Sequence, residues 1–187
     1  MRDKHFVAEH RGGLLPMRDH RLLTRWAADC AEHILEAVWT NEKDRRPFQA
    51  VEQARAWSRG ENRVGDCQKA AVAAHAAARA CKDPAAIAAA RCAGHAVATA
   101  HMADHCFGVG YALRAAGLAG MDVEKERAWQ KKHLPRQIRN LVLSGEEHRR
   151  ALGRTIEFRG ATTVNRRVSK KTEQQPRPRR RRAPARQ

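Results

Sequence analysis

Apolar residues recur at helical spacing along most of the first 150 positions, and no stretch before Thr155 alternates convincingly as a half-buried strand does. Leu22, Leu23, Trp26, Cys30, Ile34 and Val38 share one face, which predicts a first helix over about 16–38. A polar break at 41–46 follows. Pro47 suits the first turn of a second helix, with Val51, Ala54 and Trp57 facing inward and Gly60 just past its end. A third helix is expected over about 64–80. Asp83-Pro84, a cap followed by proline, opens a fourth. From there the pattern runs unbroken for some 33 residues to Gly117, predicting one long central helix. Asp122 caps a fifth helical segment that Pro135 divides, and Leu134, Ile138, Leu141 and Val142 make its second half amphipathic. The fold class read from this pattern is all-α. It is a compact bundle of about five to six helices, with residues 1–15 as an N-terminal arm, 16–153 as the helical domain and 154–187 as a basic tail.

Composition changes this picture most between residues 70 and 116. Twenty-one of those 47 residues are alanine, and four of the chain's ten histidines lie among them. Alanine is the strongest helix former and leaves little side chain between neighbouring backbones, so helices built this way can approach closely. The larger groups on such a seam are His75, Cys92, His95, His101, His105 and Cys106. Aromatic residues make up only 5% of the chain, so the core is expected to be thin and helix-dominated.

Charge is unevenly placed. The net charge is +17; from Ala151 onward 12 Lys/Arg face two acids, while residues 1–150 hold 25 Lys/Arg and 18 acids. The tail has almost no apolar residues and is expected to be disordered, because it cannot bury enough surface to offset its ordering entropy. Its Arg177–Arg182 segment would contact polyanions such as nucleic acid non-specifically. Five cysteines without a CxxC pair argue against a disulfide scaffold and for a reducing compartment. No signal peptide and no apolar run long enough to span a bilayer is visible, so a cytoplasmic location without membrane contact is expected.

The histidines admit three readings. On an ideal helix Cys92, His95, Thr99, Met102 and Cys106 form one stripe, with His101 and His105 on the next. On such a helix His95 and His105 stand roughly 15 Å apart along the axis and cannot share one ion. His101 and His105 are an i, i+4 pair that could share a metal with His75, His33 or Asp29, but the pair lacks the glutamate of a zincin motif. In the second reading the imidazoles hydrogen-bond between alanine-rich helices and fix their register. The third, nucleophilic catalysis by Cys92–His95 or Cys106–His105, lacks an orienting third group. Elsewhere, Trp26 and Trp57 read as packing anchors, and Arg136 with Arg139 as a solvated pair able to clasp a carboxylate or phosphate.

Six segments in order carry a family resemblance: FVAEHRGGLL, RLLTRWAADCAEHIL, RPFQAVEQARAWSRGE, KAAVAAHAAARAC, AARCAGHAVATAHMADHCFGVGYAL and RAWQKKHLPRQIRNLVL. Over roughly residues 6–143 the chain resembles the immunity proteins of bacterial polymorphic toxin systems, specifically the type-five immunity domain. The resemblance implies a mostly helical, non-catalytic protein without a cofactor that binds and blocks a cognate toxin domain. The positions matching its hallmarks are Trp26, His33, Trp57, His75, Arg79, Gly94, His95, His101, His105, Trp129 and Arg136. Two other functions stay open beside it: a metal-binding helical protein or enzyme using His101 and His105, and a nucleic-acid-binding protein acting through the tail.

Overall fold

In the computed structural model, which describes residues 3–40 and 43–156, helices account for nearly all regular structure. Helix α1 (Met17–Val38) buries the face predicted for it, with Leu23, Trp26, Cys30, Ile34 and Val38 all inside. Each large aliphatic side chain sealed in this way contributes about 1.5–3 kcal/mol. Helix α2 (Arg46–Arg59) carries Pro47 in its first turn and stops at Gly60, whose φ of 83° is the left-handed conformation that favours glycine. Helix α3 (Val64–Ala80) turns Cys67, Ala71, Ala74, Ala77 and Ala78 inward. Helix α4 (Pro84–Ala98) starts where the Asp83 carboxylate accepts from the Ala85 and Ala86 amides.

Helix α4 is the hub of the molecule and packs against α1, α2 and α3. Its pairing with α3 is the most extensive and is built mainly from alanine on both sides. A buried methyl removes little area from water, so these alanines act chiefly by letting the two backbones close up. The bulkier aliphatics on α1 supply more of the burial.

The long central helix expected from 84 to 117 is broken. α4 ends at Ala98, Met102 is extended (φ −145°, ψ 104°), a 3-10 segment runs Ala103–Val109, and α5 (Gly110–Leu118) follows. The cause is tertiary. The Thr99 carbonyl accepts from His20 Nε2 at 2.6 Å, and the His101 carbonyl accepts from Arg11 Nη1 at 3.1 Å. A helix end leaves its last carbonyls without intrahelical partners, and here residues about 80–90 positions away supply them.

Helix α6 (Val123–Lys132) begins at Asp122, whose side chain accepts from the Glu124 and Lys125 amides, and α7 (Arg136–Ala151) begins after Pro135. Ile138 and Val142 anchor α7 in the core. The N-terminal residues cover one end of the bundle, with Phe6, Ala8 and Leu15 buried and the Phe6 ring 4.9 Å from that of Phe107. Among the described residues no helix is long and apolar enough to cross a membrane. The tail expected to be disordered lies, from residue 157 on and with its Arg177–Arg182 segment, outside the described residues.

Candidate functional site

The break after α4 folds the histidine-bearing segments onto one another. His95 Nδ1 and His105 Nδ1 lie 2.9 Å apart, which corrects the expectation that a straight helix keeps them roughly 15 Å apart. One ring must donate and the other accept, so the contact requires at least one neutral imidazole. His95 stacks on Tyr111, with centroids 5.2 Å apart and planes at 16°, and meets the edge of His75 at 5.3 Å. His101 joins at 5.4 Å from His105.

Two glycines make this stack possible. A Cβ on Gly94 would stand 2.7 Å from His75 Cε1, and one on Gly108 would stand 2.2 Å from His95 Cβ. The rings therefore press onto backbone at both places. Burial pulls the His95 imidazole down to about 4, with His105, His75, Arg91 and Arg149 adding positive charge nearby. His75 is lowered as well, by burial and then by Arg91 and Arg79. His95 and His75 are thus held in their neutral forms at ordinary pH.

A second arrangement joins α1 to α6. The Glu126 carboxylate is almost wholly buried; its Oε2 stands 2.9 Å from His33 Nδ1 and its Oε1 accepts from Gln130 Nε2 at 2.9 Å. The His33 contact falls outside good hydrogen-bond direction, so it is a close approach that becomes an ion pair only with His33 protonated. Trp26 Nε1 donates to the Gln130 carbonyl at 3.1 Å. On the outer side Trp129 is sandwiched between His33 and His133, each centroid 3.9 Å from its own. Glu126, Trp129, Gln130 and His133 follow i, i+3, i+4, i+7 spacing, a signal in the sequence that would have placed this face.

The expected site residues are therefore distributed. His75, His95, His101 and His105 come together, whereas His33 stands apart with Glu126 and Trp129. Asp29, the other candidate metal ligand, is held with Glu32 by the Arg55 guanidinium at 2.6 Å to each. Among the described residues no group of three or more His, Cys, Asp or Glu is placed to hold a metal ion. Trp57 packs edge-on against His20, whose pKa burial lowers. Arg79 and Arg136 are exposed on α3 and α7.

The thiols next to these histidines are sealed. Cys92 and Cys106 have no exposed surface, and burial pushes both thiols upward, that of Cys92 to about 12. A thiol kept protonated and away from water is a poor nucleophile, which removes the basis for pairing Cys92 with His95 or Cys106 with His105 in catalysis.

Comparison with known proteins adds one finding. A family model described as Imm-5 like putative immunity protein matches residues 13–137. No curated protein and no solved structure matches the chain.

Proposed function

The chain belongs to the Imm-5 like immunity protein family, and from that premise we propose that it protects its host by binding a cognate bacterial toxin and blocking it without chemistry of its own. The family match carries this reading. The geometry is in keeping with it. His75 and His95 are held neutral and wedged against the backbone of Gly94 and Gly108, and His95 stacks on His105. The cysteines beside them are buried thiols. Such groups set helix register and leave the surface to do the recognition.

Protection is tested by co-expression. The reading frames beside this gene are expressed singly in a sensitive host, with and without this chain. Rescue from one of them, with a complex of the two proteins surviving gel filtration, is the expected result. Growth arrest that this chain never relieves, whichever neighbour is expressed, would remove the proposal.

A further inference from the structure

A groove of about 540 Å³ lies between α5, α6 and α7. A second cavity, at the N-terminal end of the bundle, measures about 240 Å³. The floor of the groove is apolar, contributed by Phe107, Leu134 and Leu143. Leu143, 42% exposed, is an uncovered large apolar side chain on the groove itself.

The rim is basic. Arg127, Lys131, Arg149 and Arg150 border the groove against Glu124 and Glu146. Arg127 is partly engaged, 3.5 Å from Glu124, and Arg149 lies over the Phe107 ring at 4.9 Å while donating to the Arg154 carbonyl. Lys131 and Arg150 are exposed and form no ion pair among the described residues. Between residues 123 and 154 there are nine Lys/Arg and four acids, so the excess extends beyond the groove itself.

We propose that this α5–α7 groove is the docking surface for an acidic, leucine-bearing segment of the protein toxin. The proposal rests on the immunity reading and names the face that carries it out. Charge complementarity selects the occupant: a basic rim over an apolar floor fits a segment with carboxylates beside aliphatic side chains. The chain's own sequence from residue 157 onward holds 11 Lys/Arg against two acids, a composition that a basic rim does not select. A nucleic-acid strand fits less well. Single strands bind on exposed aromatic faces, whereas Phe107 is nearly buried and capped by Arg149, and Glu124 and Glu146 oppose phosphates.

Two arms test the surface. In the first, a 14-residue peptide with leucine at helical i, i+3, i+4, i+7 spacing and glutamate elsewhere is titrated into the full chain at about 0.15 M salt. Binding is expected to shift the methyl resonances of Leu134 and Leu143, and a lysine-for-glutamate peptide is expected not to bind. The double variant Lys131→Glu/Arg150→Glu should weaken binding by about tenfold or more. Leu143→Gln should also weaken it, whereas Lys69→Glu/Lys82→Glu, at exposed positions outside the groove lining, should not. No binding at millimolar peptide, or equal binding by the groove variants, overturns the proposal. A 12-residue oligouridine that displaces the peptide from those methyls at equal affinity overturns it in favour of nucleic acid.

In the second arm, any toxin identified by rescue is measured against the same variants. About tenfold weaker binding by Lys131→Glu/Arg150→Glu, at unchanged thermal stability, supports the surface. Undiminished binding rejects the surface and leaves the immunity reading standing. Failure of every neighbour to be rescued rejects that reading, and the peptide arm still decides whether the groove binds as described.

Discussion

Acidification is a sharp perturbation of the histidine stack, because His95 must be neutral to stay where it is. An unfolded His95 titrates near 6.5, whereas in the fold burial and the neighbouring His105, His75, Arg91 and Arg149 lower it to about 4. The unfolded chain therefore binds a proton that the native chain refuses, and stability falls as pH falls. The contribution is fully present above pH 6.5, declines between 6.5 and about 4, and has no further slope below. At 1.36 kcal/mol per pKa unit the whole change is about 3 kcal/mol, with about 2 kcal/mol lost by pH 5. His20 and His75, both lowered by burial, act in the same direction. Urea unfolding followed by circular dichroism at pH 7.5 and 5.0 measures the loss, since this window lies above the ordinary carboxylate range. His95→Gln is expected to be less stable than wild type at pH 7.5 but to lose about 2 kcal/mol less on acidification. An identical pH dependence in the two proteins, or a His95 ring that titrates near 6.5 by NMR, would refute the reasoning.

Other consequences follow from the same contacts. Gly108→Ala should cost about 3 kcal/mol or more in urea unfolding and exceed the cost of Gly94→Ala, because the His95 Cβ cannot rotate away whereas the His75 ring tip can. His75→Ala should recover part of the Gly94→Ala loss, and a double-mutant cycle measures the coupling; strict additivity would contradict the close approach. His33→Ala should destabilise by about 1–3 kcal/mol, because Glu126 Oε2 loses the nitrogen beside it while Oε1 keeps Gln130. Glu126→Gln, which removes the charge, should lower that cost in the double variant. Arg55→Ala, at a half-exposed clamp, should cost only about 1 kcal/mol. In native protein a thiol reagent should titrate Cys81 promptly and the four buried cysteines only on unfolding.

Much of the helical framework was legible because its signals are local. Pro47, Asp83, Asp122 and Pro135 mark starts whose chemistry needs no tertiary context, and the apolar face of α1 reads directly from Leu23 to Val38. The break at 99–102 was not legible, because alanine-rich sequence there gives no stop signal. Its causes, His20 and Arg11, lie about 80–90 residues away and act through backbone carbonyls. The site inherited that error. A straight helix keeps His95 and His105 out of reach of each other, and only the break brings them to 2.9 Å. Glu126 was missed for another reason. A charged residue on a strongly polar helix reads as solvated until Trp129, Gln130 and His133 are seen on the same face.

On this reading the molecule has a histidine seam that holds the fold and a groove proposed to meet the partner. The most direct test is to measure thermal stability and toxin protection together for His95→Gln and for Lys131→Glu/Arg150→Glu. The first should lose stability yet still protect at temperatures where it remains folded, and the second should keep wild-type stability and fail to protect. Loss of protection by fully folded His95→Gln, with full protection by Lys131→Glu/Arg150→Glu, would contradict that division.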